Sequence, residues 1–274
     1  MTDTTYTPSI TFNQPAPFRQ NHKRIDSNKK TAVTGDLPGV NRARDNFPLQ
    51  TALLGLCQDG LPVLFDLADS RPGPLLILGN TGSGKARLQQ QIVSSLMHNN
   101  TSEHFQFSVI SSHPKWRELI NKAKQEKYWI DLSGENTAEP GEQIIRAAEL
   151  AERKYMQNQE DLAILILVDD LSFIFHQDAE VQLNFEWLCK NGPQVKVWLV
   201  ASLETQAALS MGRWIRYFRT RILGEMPEKV SNRLGLYEYS HAESLIPGTE
   251  FAVFINDSWL KFHLPGISNR SGER

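Results

Sequence analysis

From residue 51 to residue 263, short apolar runs alternate with longer stretches in which apolar positions return every three or four residues. The runs at 51–57, 61–66, 75–79, 105–111, 162–169, 195–201, 219–224 and 251–255 are short and nearly continuous, which predicts strands. Helical periodicity predicts helices over 84–98, 115–125, 141–157, 180–190 and 227–235. A strand such as LAILILVD at 162–169 has no polar face to offer water, so the sheet must be covered on both sides. The intervening helices are the usual crossovers between parallel strands. A final hairpin joins 251–255 to 259–263 over Asn256-Asp257 and is expected to add antiparallel strands at one edge. The fold class predicted is α/β: a mostly parallel sheet sandwiched by helices, with an antiparallel edge hairpin.

Residues 1–47 break the pattern. They are rich in Thr, Asn, Pro and Ser, and Ile10, Phe12, Phe18, Ile25 and Val33 are scattered singly, so no period emerges. Such a segment buries too little apolar surface to order itself and reads as a disordered or loosely docked arm. It carries seven basic residues against four acidic ones, a net +3, which leaves −5 for the rest of a chain of net charge −2. The domain expected is 48–265, followed by a polar tail at 266–274.

With a net charge of −2 no overall basic field points to nucleic acid, and any such contact must be local. The arm is one candidate. Another is the stretch holding Arg213, Trp214, Arg216, Tyr217, Arg219 and Arg221, whose spacing equally fits a surface helix with its aromatics packed inward. Cys57 and Cys189 lie far apart and outside any metal-ligand spacing, so they read as small apolar residues in a reducing compartment. The most apolar run, 162–168, falls far short of the about 20 residues a membrane helix needs. The expectation is a cytoplasmic protein without a membrane partner.

The chemistry concentrates after the third strand. Gly79, Asn80, Thr81, Gly82, Ser83, Gly84 and Lys85 fit the first seven positions of G-x-x-x-x-G-K-[ST]. Glycines let the backbone turn tightly and aim successive N–H groups at an anion, and a helix starting near Gly84 adds its positive end. Lys85 would reach the β- and γ-phosphates of ATP or a close relative. The strand LLIL before the loop and the helical ARLQQQIVSSL after it supply the context that the motif requires. The hydroxyl that would normally follow the lysine and ligate Mg²⁺ is missing, because residue 86 is Ala86.

The strand at 162–168 ends in Asp169 and Asp170. In phosphate-loop proteins an acid at this place helps hold Mg²⁺ and a following Glu polarises the attacking water. Asp169 takes the metal-side position, and Asp170 stands where the Glu is usual. The two residues equally fit a strand end followed by a helix cap at Leu171.

The order of motifs resembles the FtsK/SpoIIIE branch of the HerA–FtsK ATPases, hexameric motors that pump double-stranded DNA. Family members carry G-x-P-V-V-x-D-L-A shortly before L-L-V-A-G-x-T-G-S-G-K-S; here residues 60–68 read GLPVLFDLA and 75–85 read LLILGNTGSGK. The family's D-P-K and following E-L are matched by His113-Pro114-Lys115 and Glu118-Leu119, and its M-E-R-R-Y by Ala151-Glu152-Arg153-Lys154-Tyr155. Thr220-Arg221-Ile222 is similar to its later T-R-I. The resemblance spans residues 50–265 and implies a RecA-like P-loop NTPase that uses ATP and Mg²⁺. It further implies a homo-oligomeric ring acting on double-stranded DNA, with Arg153 or Lys154 reaching a neighbour's phosphates.

Four departures fall on the chemistry. Ala86 replaces the Ser/Thr, Asp170 the Glu, Leu203 the Gln of the family's A-T-Q, and His113 the Asp of D-P-K. Together they lead us to expect a domain that keeps nucleotide binding while hydrolysis is weak or conditional. The alternative is a non-hydrolysing nucleotide-binding scaffold or regulatory subunit. A small-molecule kinase fits less well, because such enzymes generally need the same metal site.

Overall fold

The structure, a computed structural model, describes residues 47–111, 113–133, 139–157, 161–234, 240–255 and 258–265. The arm, apart from its last residue Phe47, the 266–274 tail and the Asn256-Asp257 turn lie outside these residues.

Among the described residues nine strands form one sheet: β1 (Thr51–Leu56), β2 (Pro62–Asp66), β3 (Leu75–Gly79), β4 (Phe105–Ile110), β5 (Ala163–Val168), β6 (Val197–Glu204), β7 (Thr220–Leu223), β8 (Glu250–Ile255) and β9 (Ser258–His263). Their order is β2-β1-β9-β8-β7-β3-β6-β5-β4. Strands β7, β3, β6, β5 and β4 run parallel, and the remaining pairings are antiparallel. The helices that matter for the site are α1 (Lys85–Asn99), α2 (Arg117–Gln125), α3 (Pro140–Gln157) and α4 (Ala179–Asn191).

Period-2 alternation explains why both faces must be covered. Leu75 and Ile77 of β3 face a core shared with Leu88, Ile92 and Leu96 of α1. Leu76 and Leu78 face a second core shared with Ile144 and Ala147 of α3 and with Phe185 and Leu188 of α4. Cys57 and Cys189 are buried in these cores.

The α/β class with parallel and antiparallel strands is as expected. The β8–β9 hairpin, however, edges only the parallel block: β1 pairs with β9 at Leu56 and His263, so the β1–β2 hairpin forms the outer rim. That rim is anchored from a distance. Phe65 meets Trp198 edge to face, and the Trp198 indole N–H donates to the Leu67 carbonyl at 3.1 Å. Helical turns at Leu171–His176, Thr205–Ala208 and Gly212–Ile215 were too short to show a period. In the last of them Trp214 is buried against Phe185, so the aromatics of the arginine-rich stretch pack inward, while Arg213 pairs with Glu186 at 2.7 Å.

Candidate functional site

Parallel strands deliver their C-terminal ends to one edge of the sheet, where an open α/β sheet ordinarily binds its ligand. At that edge stand the loop after β3, Asp169 and Asp170 after β5, and Glu204 at the end of β6. Pairing of β3 with β6 sets Gly79 directly beside Glu204.

The loop has the shape its glycines predict. Gly82 and Gly84 take φ values of +84° and +94°, and Gly84 immediately precedes the first turn of α1. Lys85 folds back over the loop, its amine donating to the Gly79 and Asn80 carbonyls at 2.8 Å each. Burial holds its pKa below the usual lysine value; nearby Glu204, Asp170 and Asp169 oppose that shift, and Lys115 adds to it.

Side chains from both flanking strands fix the first half of the loop. Thr205 donates to the Asn80 amide oxygen at 2.8 Å, and the Asn80 amide nitrogen donates to the Glu225 carboxylate, 3.2 Å from the nearer oxygen. The Thr81 hydroxyl donates to Glu204. Ser83 is buried against Gly79 and Gly224, and its hydroxyl has no hydrogen-bond partner among the described residues. Neither hydroxyl stands in for the one missing at Ala86, which is half-buried and packed against the α1 core.

Both expected acids lie at the end of β5 but are engaged. Asp169 is ion-paired to Lys115 at 2.8 Å and accepts from the Ser111 hydroxyl at 2.9 Å on its other oxygen. Asp170 caps the helical turn that follows, accepting from the Ser172 amide at 2.9 Å and the Ser172 hydroxyl at 2.8 Å. Gln89, fully buried one turn into α1, reaches under the site and donates to the Val168 and Val200 carbonyls at 3.0 and 3.1 Å. His113 accepts from the Lys115 amide at 3.2 Å and caps its own short turn.

Arg153 and Lys154 stand apart from the loop. They lie in the last turns of α3, which leads into the start of β5, at the opposite edge of the sheet. Lys154 is 4% exposed and its amine donates to the Leu162 carbonyl at 2.9 Å, whereas Arg153 is exposed, 3.9 Å from Glu149. Of the two, Arg153 is therefore the one that a neighbour could meet.

Sequence reading missed Glu204, Thr205, Glu225, Ser111 and Gln89. No motif marks them; only the strand order brings them to the loop. Lys115 was visible as the lysine of the D-P-K match and Asp169 as the strand-end acid, but their pairing was not.

A glycine cradle with a lysine inside fits a polyphosphate. The donor set does not fit the Mg²⁺ that the sequence resemblance implies. Ala86 offers no oxygen, Asp169 is neutralised by an ammonium group, and Asp170 is tied up in a cap. Among the described residues no group of three His, Cys, Asp or Glu side chains is arranged to hold a metal ion.

Residues 40–115 match the model of the FtsK/SpoIIIE family, a stretch that includes the loop and Lys115 and ends before Asp169. Among curated proteins none matches the chain in sequence. Solved structures share the fold. The cytoplasmic domain of the type VII secretion ATPase EccC of Thermomonospora curvata superposes with a TM-score of 0.60 at 17% identity, covering 82% of this chain and 29% of that one. For the cytoplasmic domain of EssC the TM-score is 0.61 at 14% identity, covering 85% and 48%. The pCW3 conjugation coupling protein TcpA, in its monomer form with ATPγS, gives 0.56 at 11% identity, covering 81% and 68%. The chain thus spans less than half of the EccC and EssC chains it matches. No helix among the described residues is long and apolar enough to cross a membrane.

Proposed function

We propose that this chain, whose residues 40–115 match the FtsK/SpoIIIE family model, is an ATPase domain of that type: it binds ATP at the Gly79–Lys85 loop and hydrolyses it weakly or conditionally while acting on or beside double-stranded DNA. What supports this is a site in two states. The cradle and Lys85 are formed, while the side chains that would activate water are engaged elsewhere, Asp170 through both its oxygens with Ser172. Without the hydroxyl at position 86, a charge-stabilising contact worth a few kcal/mol in the transition state is lost, and hydrolysis slower by about 100-fold than in an intact motor follows.

DNA is assigned on the strength of the GLPVLFDLA and TGSGK motifs; a polypeptide is the competing substrate, because the secretion ATPase EccC shares the fold. A homo-oligomeric ring, with Arg153 facing a neighbour, belongs to the same proposal. A second reading, a non-hydrolysing nucleotide-binding scaffold, is favoured by the Asp170 cap. Its nucleotide would then stabilise the fold by linkage alone.

Calorimetric ATP binding and steady-state hydrolysis, with and without long duplex DNA, separate the two. We expect binding that Lys85→Ala abolishes and a slow turnover that duplex DNA stimulates. Binding without any turnover would leave the scaffold. Absence of binding would remove both readings.

A further inference from the structure

The groups expected to hold a metal ion are either missing from this chain or already engaged with another partner. Residue 86 is an alanine, Asp170 holds Ser172 through both oxygens, and the Thr81 hydroxyl donates to Glu204. Asp169 alone keeps the expected position, and its carboxylate already has a cation: the Lys115 ammonium at 2.8 Å, with the Ser111 hydroxyl at 2.9 Å on the other oxygen.

The backbone of Lys115 is held from both sides. The His113 ring accepts from its backbone N–H at 3.2 Å, Gln90 of α1 donates to its carbonyl at 3.2 Å, and the next residue, Trp116, is buried. The Asp169 side chain is only 12% exposed and that of Lys115 33%, so the pair is shielded from solvent on the Asp169 side alone. A divalent cation approaching Asp169 would meet the positive charge of the Lys115 ammonium already 2.8 Å from one carboxylate oxygen.

We infer that Lys115 supplies the charge that a divalent cation would otherwise bring to Asp169, so that this chain binds ATP without a metal ion. The inference rests on the ATP binding proposed above. Lys85 and the loop amides would face the triphosphate, and the Asp169 carboxylate would be compensated by Lys115 before the nucleotide arrives. No step of hydrolysis follows from this arrangement, which fits a site that holds nucleotide more readily than it cleaves it.

The test is ATP titrated calorimetrically into the full chain, once in excess Mg²⁺ and once in excess EDTA. The dissociation constants should agree within about threefold. Lys115→Met exposes the Asp169 charge to the phosphates, so binding in EDTA should weaken by about tenfold or more while Mg²⁺ restores it. Lys115→Arg keeps the positive charge, so its own dissociation constants in Mg²⁺ and in EDTA should again agree within about threefold. A natural chain whose ATP binding drops about tenfold in EDTA overturns the inference and leaves ATP binding itself standing. No binding in either buffer overturns both. Should Lys115→Met fail to fold, the natural chain and Lys115→Arg decide between these outcomes.

Discussion

Gly84 and Gly248 touch backbone to backbone: a β-carbon built on Gly84 would lie 2.8 Å from the Gly248 Cα. The start of α1 is thereby pressed against the loop that leads into β8, and Arg87 adds a hydrogen bond to the Gly248 carbonyl at 3.3 Å. Two separate constraints exclude a side chain at Gly84, its φ of +94° and the Gly248 backbone, whereas Gly82 at +84° has open space around it. Gly82→Ala should cost about 1 kcal/mol, the strain of a left-handed alanine. Gly84→Ala should cost about 2 kcal/mol or more, because the Gly248 loop must also move. Urea unfolding of both variants measures this. Equal losses would mean that the Gly248 loop yields freely and does not brace the phosphate loop.

Gln89 ties the two halves of the site together. Its amide nitrogen is shared between the carbonyls of Val168, just before Asp169, and Val200 of β6, at zero exposure. Gln89→Leu keeps the volume and removes the donor, leaving two buried carbonyls each short of a partner; a loss of about 1–3 kcal/mol is expected. Gln89→Glu should be worse at neutral pH, since a buried carboxylate would then face two carbonyl oxygens. A Gln89→Glu chain as stable as the natural one would show that the amide does not hold the strand ends in register.

The loop was legible in the sequence because its chemistry is local. Gly79 to Lys85 carry the conformational and charge requirements in one contiguous stretch, and the LLIL strand that precedes it has only apolar positions. The strands were legible for the same reason, since their burial writes itself into short apolar runs. Sheet order was not, because β6 lies between β3 and β5 although it follows both in sequence, and only this insertion brings Glu204 and Thr205 to the loop. The place of the β8–β9 hairpin was missed because nothing in residues 51–66 announces that β1 will pair with β9. Asp170 shows a different limit. Its sequence position fits either a catalytic acid or a cap, and only the Ser172 contacts reveal what its oxygens hold.

Arg153 and Lys154 are neighbours in sequence with opposite surroundings, and mutation should separate them. Lys154→Ala removes a buried amine that closes the Leu162 carbonyl at the start of β5, and about 1–3 kcal/mol of stability should go with it. Arg153→Ala removes an exposed side chain in a loose i,i+4 pair, for which less than about 0.5 kcal/mol is expected. If Arg153 meets a neighbour's phosphates, its alanine variant should lose turnover in an assembled ring without a change in thermal midpoint. A Lys154→Ala chain with an unchanged midpoint would contradict the buried role read from the Leu162 contact.

Lys85 makes the site's own electrostatic cost measurable through pH. Burial lowers its folded pKa beneath the ordinary lysine value of 10.5, with Glu204, Asp170 and Asp169 offsetting part of the shift. Between the folded value and the unfolded one, the unfolded chain binds more protons than the folded chain, so stability rises with pH across that window. The penalty of burying the ammonium is complete at neutral pH and fades as the pH climbs toward 10.5. Lys85→Met removes the titrating group while keeping much of the apolar stem, and subtracting its thermal midpoint from that of the natural chain cancels the other titrations. The difference should move in favour of the natural chain as the pH rises from neutral. Curves that stay parallel would place the amine in water, and Lys85 would then enter the loop only when phosphates draw it there.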